Sequence, residues 1–113
     1  MKIEHLNATV TEISGHYQDG VKFPDGTEGR IEFSFTYEGE FGFLTVKSGV
    51  LVINDNASVT FSKSRTTFYS TKIGQIPEDL DYSEIVFGHF ERVSDLVKDA
   101  EVEVKFKGLK KCI

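Results

Sequence analysis

The sequence predicts a mainly β protein, at the margin of the α+β class: an antiparallel sheet of six to eight strands, closed as a small barrel or packed as a sandwich, with one short C-terminal helix. Apolar and polar residues alternate over much of the chain, and turn-forming residues separate the alternating segments. Ten Phe and four Tyr provide a large aromatic core. A chain of 113 residues can bury such a core without a metal or disulfide, so we expect one domain over 1–113.

The segment 31–53 carries the strongest strand pattern. Ile31, Phe33, Phe35 and Tyr37 alternate with polar residues, which predicts a strand with one apolar face. A turn over 38–40, a strand over 41–46, a break over 47–49 and a continuous apolar strand over 50–53 complete the segment. We therefore expect the core to form here.

The elements on either side of this segment are shorter. On the N-terminal side we predict a strand over 3–13, a loop over 14–20 and a strand over 21–23, which the Pro24-Asp25-Gly26 turn ends. On the C-terminal side we predict a turn over 54–56, a strand over 58–61, a hairpin tip over 62–65, a strand over 66–73 and a linker over 74–81. This succession is typical of an antiparallel meander.

The region 83–100 supports two interpretations. In the first, a strand over 84–90 precedes a short helix over 94–100 with Ser94 as its N-cap, because Ile85-Val86-Phe87 favours a strand and Gly88 weakens a helix. In the second, one helix covers 83–100, because Val86, Phe90, Val93 and Val97 are spaced as one helical stripe. A last strand is predicted over 101–107.

The charge of the chain is unevenly distributed. The net charge is −5, and the segment 78–103 contains nine acids against two bases. An acidic chain disfavours general adhesion to nucleic acid, because that affinity comes from neutralising phosphates. The start of the chain carries no apolar leader and no run is long enough to span a bilayer, so we expect a cytoplasmic protein. The single Cys112 excludes an intramolecular disulfide.

No motif of catalysis or metal binding is visible. His5, His16 and His89 lack a second ligand at metal-binding spacing, and the chain has neither a phosphate-binding glycine loop nor a nucleophile elbow. We therefore predict a protein that is not an enzyme and that uses no metal and no cofactor.

The acidic segment indicates a surface for a protein partner. Carboxylates mixed with exposed aromatic residues attract basic partners and set the specificity of the encounter. We predict a non-enzymatic binding or inhibitory module, in the manner of immunity proteins or phage anti-defence proteins, whose contact residues are Asp79, Asp81, Tyr82 and Glu84.

Two alternatives stay open. Cations and aromatic residues interleave on the predicted 58–73 hairpin, as on surfaces that bind single-stranded nucleic acid; they are Lys63, Arg65, Phe68, Tyr69 and Lys72. The order of elements is also similar to that of small oligonucleotide-binding barrels. The second alternative is a small-molecule binder with an aromatic-lined barrel mouth.

Overall fold

The computed structural model describes the backbone of residues 12–39 and 41–112 and the side chains of residues 13–39 and 41–99. Five strands follow one another, each antiparallel to its neighbour, in the order β1-β2-β3-β4-β5. One helix, α1, follows the sheet and lies on one of its faces. The elements are β1 (Glu12–Lys22), β2 (Glu28–Glu38), β3 (Phe43–Asn54), β4 (Ala57–Ser64), β5 (Thr67–Ile73) and α1 (Tyr82–Cys112).

The mainly β, antiparallel architecture with a C-terminal helix is confirmed, whereas the predicted six to eight strands and the closure into a barrel or sandwich are not. The described residues form five strands in an open sheet, with β1 and β5 at opposite edges. An apolar sheet face has to be covered by another layer. Here α1 provides that layer, so the described strands need neither a second sheet nor closure.

Strand β2 supplies the centre of the core, as its alternation predicts. Ile31, Phe33 and Tyr37 are buried and Phe35 is half-buried, all on the face that α1 covers. Ile31 lies opposite Leu51 of β3, which is also buried. Each buried branched or aromatic side chain contributes about 1.5–3 kcal/mol, so this face supplies a large part of the driving force for folding.

The predicted break over 47–49 is a β-bulge inside one continuous strand. Ser34 lies opposite Ser48 and Phe35 opposite Val46, so Lys47 is the extra residue on β3. Gly49 follows the bulge, where a Cβ atom would lie 2.5 Å from the ring of Phe61. The glycine therefore permits close packing of an aromatic side chain, and it does not end the strand.

The predicted loop over 14–20 is wrong, because these residues belong to β1. Tyr17 lies opposite Phe33 and Gly20 opposite Arg30 in an unbroken register with β2. Pairing with a strongly apolar neighbour outweighs the weak strand propensity of Gly, His and Asp. The strand predicted over 3–13 lies outside the described residues, except for its last two positions.

The predicted strand over 84–90 is also wrong, and the alternative of one helix over 83–100 is confirmed. The strand predicted over 101–107 is helical as well, because α1 continues to Cys112. Four side chains of the helical stripe are buried against the sheet; they are Val86, Phe90, Val93 and Val97. Burial of this stripe outweighs the strand propensity of Ile85-Val86-Phe87 and the cost of Gly88.

Helix α1 begins beside Asp81, whose Oδ1 accepts a hydrogen bond of 3.1 Å from the backbone N–H of Glu84. Asp81 therefore serves as the N-cap, a role predicted for Ser94, which lies within the helix. Among the helical residues that the structure describes, no stretch is both long and apolar enough to cross a bilayer.

Phenylalanine rings join the helix to the sheet. The ring of Phe90 lies 5.3 Å from that of Phe33 and 5.7 Å from that of Phe61, in edge-to-face geometry. Phe68 of β5 lies 4.9 Å from Phe87 of α1, between ring centres. Edge-to-face aromatic pairs add about 0.5–1.5 kcal/mol to the burial of their area, so Phe90 is the principal contact between the two layers.

Candidate functional site

A groove lies at the end of the sheet where α1 begins. The linker 74–81 folds back there, with a backbone hydrogen bond of 3.1 Å from Leu80 N–H to Pro77 C=O. The groove has a volume of about 90 Å³. Its floor and walls are mainly apolar, and two aspartates stand on its rim; the lining residues are Phe23, Pro24, Asp25, Thr27, Ile53, Pro77, Asp79 and Leu80.

The turn between β1 and β2 fixes one rim carboxylate. Asp25 Oδ1 accepts hydrogen bonds from Thr27 N–H at 3.0 Å and from Thr27 Oγ1 at 2.7 Å. Gly26 takes the left-handed conformation that the tight turn requires, with φ of 90°. The hydrogen bonds from Thr27 hold the pKa of Asp25 below its ordinary value of 3.8, so this carboxylate stays ionised through the neutral pH range.

The four residues predicted to contact a protein partner lie at the same end of the molecule, but they have different local roles. Asp79 is exposed on the rim of the groove. Asp81 caps α1, and Glu84 occupies its first turn, where an acidic side chain is favoured by the helix dipole. Of the three acidic residues predicted to contact the partner, Asp79 is therefore the one that neither caps α1 nor lies in its first turn.

Tyr82 connects the start of α1 to the edge of the sheet. Its hydroxyl lies 3.2 Å from Ser70 Oγ of β5. Lys72 Nζ lies 4.7 Å from the centre of the Tyr82 ring, a distance typical of a cation–π contact. Tyr82 is half-buried by these contacts and presents only part of its surface to solvent.

Five carboxylates thus gather at this end, and we call them the acidic end: Asp25, Glu78, Asp79, Asp81 and Glu84. Each is exposed. The salt bridges of the described residues join other groups, Arg30 with Glu32 and Arg92 with Asp19. Within the described chain, the acidic end therefore carries negative charge that no ion pair compensates.

The basic and aromatic residues of the β4–β5 hairpin do not form one surface. Lys63 Nζ turns toward the core, where it donates to the C=O of Leu44 at 3.1 Å and to that of Arg65. Partial burial lowers the pKa of Lys63 from its ordinary value of 10.5. Phe68 is half-buried on the helix side, in contact with the rings of Phe61 and Phe87.

The other three hairpin residues point in different directions. The guanidinium of Arg65 lies at the tip, 5.5 Å from the ring centre of Phe43. Lys72 lies over Tyr82 on the helix side, whereas Tyr69 is exposed on the opposite face, since successive strand residues alternate. The structure therefore places Tyr69, the more exposed of the two aromatic residues of this set, away from Lys63 and Lys72.

A polar network between β1 and α1 was not found from the sequence. The hydroxyl of Tyr17 lies 2.8 Å from His89 Nδ1 and donates to Asp19 Oδ2 at 3.1 Å. Arg92 Nη1 donates to the same Asp19 oxygen. Because 72 residues separate Tyr17 from His89, no local spacing signals this contact.

Burial shifts the titration of two members of this network. It raises the pKa of Tyr17 above its ordinary value of 10.0, against a smaller lowering by the hydrogen bond with Arg92. It also lowers the pKa of His89 from 6.5, and the positive charge of Arg92 acts in the same direction, while Asp19 opposes it. His89 is therefore held mainly neutral at pH 7.

Within residues 13–39 and 41–99, no cluster of three or more His, Cys, Asp and Glu side chains has the geometry of a metal site. Comparison of the chain with protein families, with curated proteins and with solved structures finds no match.

Proposed function

We propose that this protein is a non-enzymatic binding or inhibitory module, and that its acidic end binds a basic surface of a partner protein. The observation that carries the proposal is the position of five exposed carboxylates, without ion-pair partners among the described side chains, around and beside an apolar groove. Charge complementarity accelerates encounter and selects the partner. A groove with an apolar floor can accept a side chain of that partner, which is how interfaces concentrate their affinity.

Local structure decides which residues test this proposal. Asp81 caps the helix, so its replacement would destabilise α1 and confuse a loss of fold with a loss of binding. Glu78 and Asp79 lie in the linker and are exposed. Substituting both by lysine changes the charge of the acidic end by four units and leaves the capping hydrogen bond in place.

A matched control makes the same change of charge at another place on α1, away from the acidic end. The double variant Asp95→Lys and Asp99→Lys changes the net charge by the same amount at two exposed positions of the helix. The control therefore shows whether a loss of binding comes from the net charge of the protein or from the charge at the acidic end. Thermal unfolding of both variants checks that each retains the fold.

The experiment is quantitative affinity capture from a lysate with the wild type and both variants, followed by titration of the captured partner with purified protein. We expect the wild type and the Asp95/Asp99 variant to bind the same partner, and the Glu78/Asp79 variant to lose it. High salt should release the partner from the wild type. The proposal would be contradicted if the affinity for the partner changed neither with salt concentration nor with the Glu78→Lys and Asp79→Lys substitutions.

A further inference from the structure

Strand β5 is a regular edge of the described sheet, and no other described strand pairs with its outer side. Its pairing with β4 runs from Ser64–Thr67 to Ser58–Ile73 without a shift of register, whereas the pairings of β3 contain bulges. Natural proteins usually blunt such an edge with a bulge, a proline, charged side chains or a covering element. The sequence of β5, TFYSTKI, contains no proline and a single charged residue, Lys72, and β4 is the one strand that pairs with it within the described chain.

The hairpin fixes which backbone groups of β5 face outward. The two-residue turn Arg65–Thr66 makes Ser64 and Thr67 a hydrogen-bonded pair, because residues flanking such a turn exchange both backbone bonds. Hydrogen-bonded positions recur at every second residue. The N–H and C=O groups of Phe68, Ser70 and Lys72 therefore point away from β4, toward the open edge.

Apolar side chains are concentrated along the same edge. Tyr69 is 59% exposed and Ile73 is 56% exposed, both on the outer face of β5. Phe87 of α1 is 40% exposed and lies beside Phe68. These are three of the five large hydrophobic side chains that are exposed in the described residues. Exposed apolar surface next to unpaired strand groups is typical of an interaction site.

We propose that a second copy of this chain pairs with β5, antiparallel and about a two-fold axis at Ser70, so that the two sheets join at their edges. A two-fold axis there places Ser70 opposite the partner's Ser70 and Phe68 opposite the partner's Lys72. Each pair then exchanges two backbone hydrogen bonds. On the outer face, Tyr69 lies opposite the partner's Thr71.

Two features of β5 favour this register. Ser70 is the central residue of the strand, so an axis there pairs all seven residues of Thr67–Ile73, and the charge of Lys72 acts in the same direction. An axis at Lys72 would place two ammonium groups opposite each other, which is destabilising across a pair of strands. An axis at Phe68 would leave fewer residues paired, because Thr67 is the only residue of β5 that precedes it. An axis at Ser70 places each Lys72 against an aromatic ring of the other copy, where a cation–π contact can form.

The same register covers the exposed ring of Phe87. Phe87 lies beside Phe68, and Lys72 lies over Tyr82. Pairing Phe68 with the partner's Lys72 therefore brings Phe87 next to the partner's Tyr82. The β5 edge is thus self-complementary in backbone groups and in cation–aromatic contacts, which is the requirement for a two-fold interface.

The test is the molar mass of the purified full chain by sedimentation equilibrium over a wide range of concentrations. The wild type is expected to change from 12.7 kDa to twice that mass as concentration rises. Ser70→Pro removes one outward N–H at an edge position that does not bond to β4, where proline is tolerated. We expect this variant to remain monomeric with an unchanged circular dichroism spectrum.

A second measurement, disulfide cross-linking, tests the dimer even if Ser70→Pro disturbs the fold. In a Cys112→Ser background, Ser70→Cys is expected to form an intermolecular disulfide under mild oxidation, because opposed residues of paired strands lie within disulfide range. Thr60→Cys on β4, an exposed position away from the edge, is the control and should remain reduced.

A wild type that stays at 12.7 kDa at every concentration would overturn the proposal, as would a dimer that folded Ser70→Pro retains. Binding of an extended foreign peptide at β5 by a monomeric chain would also overturn it. The Glu78/Asp79 variant should still dimerise, because the acidic end takes no part in this pairing. Loss of partner binding and loss of dimerisation can therefore be told apart.

Discussion

The hydroxyl of Tyr17 in β1 lies 2.8 Å from Nδ1 of His89 in α1, and this contact joins an outer strand of the described sheet to the helix that covers it. Tyr17 also donates to Asp19, and a hydroxyl has one proton. Nδ1 of His89 therefore carries the hydrogen and donates it to Tyr17. The contact defines one tautomer of His89 and one orientation of its ring.

The lowered pKa of His89 predicts a pH dependence of stability. The unfolded chain binds a proton to this residue near pH 6.5, whereas the folded protein binds it only at lower pH. Between these two values the unfolded state carries more protons, so the free energy of unfolding decreases as pH falls and levels off below the pKa of the folded state. Denaturant titrations from pH 8 to about pH 5 measure this slope, which one proton limits to about 1.4 kcal/mol per pH unit.

One variant identifies the residue responsible. His89→Gln is expected to remove the part of the wild-type slope that comes from the lowered pKa of His89. Equal slopes in the wild type and His89→Gln would show that burial of this imidazole does not affect stability.

Phe90 is predicted to be the most sensitive core residue of α1. It is 4% exposed, and its ring contacts those of Phe33, Phe61, Phe68 and Phe87. Phe90→Ala should reduce the free energy of unfolding by about 3–5 kcal/mol, because burial is lost and a cavity remains. Chemical denaturation measures the loss. Leu96→Ala, at a position 57% exposed on the same helix, should change stability by no more than about 0.5 kcal/mol.

Two glycines are predicted to respond in opposite directions to alanine. No atom lies within 4 Å of a Cβ added at Gly88, which is exposed in the second turn of α1. Gly88→Ala should therefore stabilise the protein by about 0.8–1.0 kcal/mol, the difference in helix propensity.

Gly49→Ala places a methyl group 2.5 Å from the Phe61 ring and 2.8 Å from Cβ of Phe33, so it should destabilise by about 1–3 kcal/mol. Thermal and denaturant unfolding of both variants checks the signs. Stabilisation by Gly49→Ala would mean that β3 does not approach the aromatic rings as described.

The nucleic-acid alternative can be tested separately. Because Lys63 bonds to backbone carbonyls and Tyr69 faces away from Lys72, we expect no measurable affinity for single-stranded DNA or RNA at low salt. Fluorescence anisotropy with labelled oligonucleotides measures it. A nucleic-acid interface would be favoured over the acidic end if the wild type and the Asp95/Asp99 control bound the oligonucleotide and the double variant Arg65→Glu, Lys72→Glu did not.

Where sequence periodicity was strong, it predicted the structure. The alternation around Phe33 gave the buried face of β2, and the Pro24-Asp25-Gly26 turn formed as expected, with a hydrogen bond of 2.9 Å from Gly26 N–H to Phe23 C=O. The acidic residues of 78–103 are visible from charge alone, and the structure places Asp79 exposed on the rim of the groove; their role in binding stays a prediction. The groove itself could not be predicted, since Phe23 and Pro77 meet only in the folded chain.

By itself, the sequence determined an antiparallel meander with a phenylalanine-rich core and an acidic segment after it, because side-chain alternation, turn residues and charge are local properties. Tertiary structure alone decided that 14–20 is a strand, that α1 replaces the predicted strands after residue 83, and that Tyr17 meets His89. Those outcomes depend on which apolar surfaces find each other, and burial against a distant partner outweighs local propensities of about 1 kcal/mol or less.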